Sequence, residues 1–272
     1  MNSLFPDKNL IIILLLGHLI GDFIFQTNNV FKFKIKGTAG ILWHSFLVGV
    51  ATFTALFTFS ESFLLIFSAS IILFVFHFLI DIAKYKSRIE EAVTFMLDQL
   101  AHIISILICS IVLKNAVSAS FRNTVHIRYA VYLIAMIVIL YFLKYFIKSL
   151  YRILDIKDAA SKWYSFMESA ERFIIFYFSY MHGFYFLLIA FAVIPRSLYA
   201  INTNKQHIFY DIIISMLISS GAGIVFRKAT ILEPFTGIQF LFLSIVFFAS
   251  AFIIEKAVDL LTLPLNKHSH IS

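Results

Sequence analysis

Charge is what this sequence has least of for its size. Only 14% of its 272 residues are Asp, Glu, Lys or Arg, while 61% are hydrophobic and the mean hydropathy is +0.91. That combination excludes a soluble globular domain, which cannot hide so much apolar surface. Cysteine is almost absent too. Cys109 stands alone, so the chain cannot close an internal disulfide, and the count leaves the redox compartment open. No cleavable leader is expected from the first residues: MNSLFPDK does not resemble a basic n-region, and the first apolar run carries His18 and Asp22 without a small-residue cleavage site. That run is expected to persist as a membrane helix. Acidic residues are outnumbered, 15 against 22 Lys and Arg, for a net charge of +7. With this much apolar surface and no base-reading motif, the excess points to a lipid bilayer and its anionic head groups as partners, with no nucleic acid.

Length bounds the architecture. A helix crossing roughly 30 Å of hydrocarbon needs about 20 residues, so about eight crossings use up the chain. The expected fold class is therefore all-α, a polytopic transmembrane helical bundle of about eight membrane helices with one interfacial amphipathic helix. Apolar runs place the helices near 10–25, 41–59, 63–83, 92–113, 130–147, 173–194, 208–226 and 235–261. The four prolines punctuate these runs: Pro6 and Pro234 precede helices, and Pro195 and Pro264 follow them. Residues 151–166 mix Tyr151, Trp163 and Tyr164 with Arg152, Lys157 and Lys162 and read as the interfacial helix. Residues 1–114 form a four-helix half bearing the polar residues, and 115–272 a second four-helix half within one integral membrane unit. Ser219 and Gly223 give one helix a small-xxx-small face that another can approach closely. Counting Lys and Arg on alternating sides gives 14 against 8, which sets the 14-residue side, with the loops of Lys34 and Lys86, in the cytoplasm.

Ionisable side chains inside membrane helices are costly and call for a partner or a function. The first four spans hold seven: His18 and Asp22 in GHLIGDFIFQ, His44 in LWHSF, His77 and Asp81 in FHFLIDIAK, and Asp98 and His102 in LDQLAH. Each His–Asp pair is spaced i,i+4, so both side chains share a helical face about 6 Å apart along the axis. Helices one and three read His then Asp, whereas the antiparallel fourth reads Asp then His, so the pairs fall at matching depth, where His44 joins them. Four consecutive helices can thus aim four imidazoles and three carboxylates at one interior site, as in carboxylate–histidine metal bundles. Thr94, Asp98, His102, Ser105 and Cys109 continue one polar stripe, and Gln26 extends the face of His18 and Asp22. A single pair of this kind is an ordinary interhelical hydrogen-bond device; three at one depth are not. Three close carboxylates repel, and neutral imidazoles bring no compensating charge. One or two divalent cations do, and the mixed nitrogen–oxygen donor set suits zinc, manganese or iron. His18, Asp22, His44, His77, Asp81, Asp98 and His102 are the candidate metal ligands. Asp22, Asp81 and Asp98 are the catalytic candidates, one of them released as general base.

Gln26, Gln99 and Arg172 are candidates for holding substrate, Arg172 because a guanidinium fork suits a phosphate; its bland alternative is a surface ion pair with Glu168. Lys32, Lys34 and Lys36 alternate with apolar residues as a head-group anchor would, and His182 sits on an aromatic helix as a packing residue.

The motifs GHLIGDFIFQ, LWHSF, FHFLIDIAK and FMLDQLAH resemble an uncharacterised bacterial membrane family, domain of unknown function 3307. SAERF looks like that family's glutamate–arginine segment, while AFAVIPRSL, with Arg196, stands where its members usually carry a lysine-containing stretch. The resemblance implies a multi-pass protein of the bacterial inner membrane and no established activity. More distantly, the His/Asp helices are similar to membrane-bound metal-dependent hydrolases. The expected function is a metal-dependent hydrolase acting at the cytoplasmic leaflet on a phosphorylated or esterified lipid-like substrate. The alternatives are a divalent cation or proton transporter, against which the apolar outer halves of the first four helices speak, and a structural or partner-binding membrane protein.

Overall fold

The computed structural model describes residues 8–87, 91–113, 125–156, 162–230 and 234–268. The chain is all-α. Its helices are α1 (Lys8–Leu19), α2 (Asn28–Lys34), α3 (Thr38–Phe59), α4 (Phe63–Lys86), α5 (Glu91–Val112), α6 (Val125–Ile137), α7 (Leu143–Ile153), α8 (Lys162–Met181), α9 (Ile189–Ala192), α10 (Ile194–Thr203), α11 (His207–Ala229) and α12 (Gly237–His268). Among the described residues, seven helical segments are long and apolar enough to cross a bilayer, eight if one bent pair counts as a span. This makes the chain a multi-pass membrane protein, built from the one element that satisfies its own backbone in hydrocarbon.

Two compact units emerge, residues 1–134 with 244–272, and residues 135–243. In the first, α1 continues through a π turn, Ile20–Ile24, in which the Phe25 N–H donates to the Ile20 carbonyl at 2.9 Å, five residues back. The chain then bends by 89° into α2, where the Thr27 hydroxyl accepts from the Val30 N–H and caps the new helix. The first apolar run, expected at 10–25, is thus one helix through Ile24, and the bend adds a second, short helix after it. The backbones of α1 and α3 meet at two glycines. A Cβ on Gly17 would lie 2.6 Å from Thr52 Cα, and one on Gly21 would lie 2.7 Å from Val48 Cα. Only hydrogen fits, and this close approach seats the two helices side by side.

The end of α12 returns to this unit. Trp43 Nε1 donates to Thr262 Oγ1 at 3.1 Å, and Val258 packs with Val30 and Leu47. Further along, the Tyr132 and Ser244 hydroxyls hydrogen-bond at 2.7 Å. Pro264 does not close that helix, which runs through it to His268. Pro6 and the expected boundary at residue 114 lie outside the described residues.

The second unit departs further from expectation. The run at 173–194 is not one helix: α8 ends at Met181, and His182 and Gly183 follow with φ of 61° and 62°. That left-handed backbone cannot continue a right-handed helix, so a 3₁₀ stretch, Gly183–Leu188, starts a new segment. His182 is exposed at the break instead of packed. Pro195 opens α10 rather than following a helix, at a position where a missing N–H costs nothing. The expected interfacial helix divides as well. Tyr151 and Arg152 finish α7, Asp155 turns the chain with φ of 52°, and Lys162, Trp163 and Tyr164 begin α8. Lys157 and the rest of 157–161 lie outside the described residues. Gly223 does give the close approach expected of it, since a Cβ there would lie 2.6 Å from the Phe176 carbonyl oxygen and 2.7 Å from Ser179 Cβ.

Candidate metal centre

All seven His and Asp residues of the first four spans are buried and converge inside the first unit. The π turn carries Asp22, α1 carries His18, α3 His44, α4 His77 and Asp81, and α5 Asp98 and His102. A π turn inside a helix costs hydrogen-bond geometry and is often found at functional sites; here it seats Asp22 while holding its i,i+4 partner, His18 Nε2, at 3.6 Å. The α5 stripe turns inward as its spacing implies. Thr94, Asp98, His102, Ser105 and Cys109 are buried, whereas Leu97, Leu100, Ile104 and Ile108 on the other side are exposed.

Asp22 Oδ1 lies 3.0 Å from His44 Nε2 and 3.3 Å from His77 Nε2. Those two imidazole nitrogens are 3.1 Å apart, and His77 Nε2 is 3.3 Å from Asp81 Oδ2. His44 Nε2 to Asp81 Oδ2 is longer, 3.8 Å. One proton cannot serve all these contacts, because each Nε2 faces both a carboxylate and the other ring. Metal–donor bonds of about 2.0–2.1 Å at tetrahedral angles set donors roughly 3.3 Å apart, so three atoms, from Asp22, His44 and His77, already stand at the spacing of metal donors, with Asp81 Oδ2 beside the two imidazole nitrogens. Two further sets offer donor atoms within 4.8 Å of one another: His18, His77 and His102, and Asp81, Asp98 and His102. In the last set Asp81 Oδ1, Asp98 Oδ1 and His102 Nε2 are buried without a hydrogen bond, although Asp98 Oδ1 and His102 Nε2 approach to 3.4 Å. Buried acceptors in that condition are expensive, and a cation would satisfy them together. The residues present fit one or two transition-metal ions.

Two lysines complete the centre. Lys34 Nζ stands 2.8 Å from Asp81 Oδ2, and Lys84 Nζ donates to Asp98 Oδ2 at 2.7 Å. The α1–α2 bend puts Lys34 there, where an anchor facing the head groups was expected. Gln26 Oε1 accepts from Lys34 Nζ at 3.3 Å, and Gln99 Nε2 donates to Asp22 Oδ2 at 3.3 Å. Both glutamines therefore touch members of the centre. No periodicity reveals Lys34, because its role depends on the bend, whereas Lys84 sits three residues after Asp81 and could have been noted as its near neighbour on α4.

Arg172 belongs to the second unit and to a different cluster. Its Nη2 donates to Glu168 and, at 3.4 Å, to Asp211 Oδ1, and its Nε donates to Ser215 Oγ at 3.0 Å. Arg196 is fully buried beside it. There its Nη1 donates to Glu171 Oε1 at 2.8 Å, and its Nη2 lies 2.6 Å from Asp211 Oδ2. Tyr164 donates to Asp211 Oδ2 at 2.9 Å and accepts from Arg196 Nη2 at 3.1 Å. Arg196 was counted as a loop charge in setting the orientation; burial removes it from that count. Asp211 and Tyr164 were missed; His207, four residues before Asp211, repeats the i,i+4 His–Asp spacing and was the signal that could have singled Asp211 out.

The family comparison agrees with the helix motifs. Residues 10–131 match the family model for a protein of unknown function, DUF3307. This stretch of the chain is similar to that family. It contains the whole centre, Lys34 and Lys84 included, and excludes the Arg172 cluster. No curated protein and no solved structure matches the chain, so the more distant similarity to membrane-bound hydrolases has no support there.

Proposed function

We propose that this protein is a metal-dependent hydrolase of the bacterial cytoplasmic membrane, acting at the cytoplasmic leaflet on a phosphorylated or esterified lipid-like substrate. The observation that carries the reading is the set of three donor atoms from Asp22, His44 and His77, pre-spaced for one ion, with Asp81, Asp98 and His102 offering a second position. A divalent cation held there supplies an acidified water and a Lewis acid for a phosphoryl or carbonyl oxygen. The chain's own groups do the rest. Gln99 orients Asp22 through its second oxygen, and Asp81 and Asp98, each with an Oδ1 not committed to a hydrogen bond, are the carboxylates placed to take a proton from water. The apolar surroundings of α1, α3, α4 and α5 keep bulk water from the donors.

The test begins with elemental analysis of protein purified without added chelator. Stoichiometric zinc, manganese or iron is expected, falling in His44→Ala and Asp98→Asn while both variants still insert. Hydrolysis across a panel of lipid phosphates and esters should fall with the metal. Absence of any stoichiometric transition metal, with Asp98→Asn unchanged in function, would falsify the reading; metal flux into liposomes without hydrolysis would replace it with a transporter.

A further inference from the structure

Charge counting at the centre separates the two substrate classes left open above. Three carboxylates, Asp22, Asp81 and Asp98, face two ammonium groups, Lys34 and Lys84. With neutral imidazoles the cluster carries one net negative charge. One divalent ion turns that into one net positive charge, and two ions into three. A buried cluster of that sign needs an anion; a hydroxide from the acidified water offsets one charge, which leaves two with both ions bound, and a neutral ester brings nothing to meet them. A phosphate group does meet them.

The geometry puts the lysines where such a group would arrive. The carboxylate side chains of Asp81 and Asp98 are 0% and 6% exposed, whereas those of Lys34 and Lys84 are 16% and 31% exposed. Each ammonium therefore stands on the open side of the carboxylate it neutralises. Lys34 is the last residue of the short α2 and Lys84 lies in the last turn of α4, so the two approach from different helices. Metal and ammonium compete for Asp81, whose Oδ2 sits both against Lys34 and beside the His44 and His77 nitrogens, and which belongs to the second donor set. Whatever share of the carboxylates the metal takes, the lysines lose, and their flexible stems leave the ammonium groups free to bind elsewhere.

We infer that Lys34 and Lys84 form an anion site for a phosphate group, occupied when the centre holds its metal and exchanged for Asp81 and Asp98 when it does not. This rests on the metal-dependent reading and narrows its substrate class to phosphate-bearing molecules. It also gives the two lysines opposite effects on two ligands: they oppose metal and favour phosphate.

The experiment uses the full chain in phosphatidylcholine nanodiscs, manganese as the metal and inorganic phosphate as the probe. Manganese binding is measured first, alone. Phosphate binding to the manganese-loaded protein is then read from paramagnetic broadening of the ³¹P signal. Expected are measurable phosphate binding next to the metal, and a loss of about 10- to 100-fold in phosphate affinity for each of Lys34→Met and Lys84→Met. Manganese affinity in those variants should be unchanged or higher, which also shows that they fold, and Lys34→Arg with Lys84→Arg should restore phosphate binding. Phosphatidic acid in the nanodiscs distinguishes the two sources: displacement of phosphate assigns the site to a lipid head group, and no displacement assigns it to a soluble phosphate compound. Manganese bound with no ³¹P broadening, or phosphate affinity equal in wild type and both methionine variants, overturns the anion site and leaves the metal reading standing. No manganese bound overturns both.

Discussion

The two units each bury a cluster of acids and bases, and they neutralise their carboxylates by different chemistry. In the second unit Glu168, Glu171 and Asp211 are met by Arg172 and Arg196, whose planar forks are always charged and bind two partners at once. In the first, Asp22, Asp81 and Asp98 are met by imidazoles and by single lysine ammonium groups. An arginine fork locks a carboxylate in place. An imidazole nitrogen or a lysine at the end of a flexible stem can be exchanged for another ligand. The same buried acids thus serve a fixed joint in one unit and a replaceable coordination set in the other, and the bases around them decide which.

Breaking the fixed joint should have the largest effect on stability. Arg196→Met keeps bulk but leaves Glu171 and Asp211 facing each other without their guanidinium. Removal of one partner from a buried ion pair costs about 3–5 kcal/mol. Thermal unfolding in detergent should show that loss, adding divalent metal should not recover it, and adding Glu171→Gln should recover part. Full rescue of Arg196→Met by metal would erase the distinction between the clusters.

A smaller effect sharpens the comparison, because glycines in both units let helices pack backbone to backbone, Gly21 in the first and Gly223 in the second among them. Gly21→Ala and Gly223→Ala each force a methyl into backbone contact and should cost about 1–3 kcal/mol. Only Gly21→Ala, which pushes α1 from α3 and so Asp22 from His44, should also weaken metal binding by isothermal titration. Equal metal affinity in both variants would mean that the α1–α3 spacing does not set the donor distances. The smallest expected change is Trp43→Phe, which removes the hydrogen bond to Thr262 and about 1 kcal/mol. Its unfolding midpoint should drop slightly while metal affinity holds, since that bond ties α12 to the first unit and touches no ligand.

The ligand set of the first unit could be read from the chain because its signal is local: i,i+4 spacing places each His and Asp pair on one face, and the cost of burying them in hydrocarbon forces those faces together. Length and hydropathy likewise determined an all-helical, multi-pass chain, since a helix satisfies its own backbone in hydrocarbon and apolar runs of about 20 residues match its span. Tertiary structure alone decided the rest. Lys34 reaches Asp81 only because the chain bends by 89° after a π turn, and that bend has no periodic signature. Arg172, Arg196 and Asp211 come from three helices and meet through packing across long sequence separations, so no spacing rule finds them. The break at His182 is a backbone event, a left-handed φ that an apolar run does not advertise. Local periodicity fixes which face a residue occupies; which residue lies opposite depends on how whole helices pack, and that information is spread over the chain.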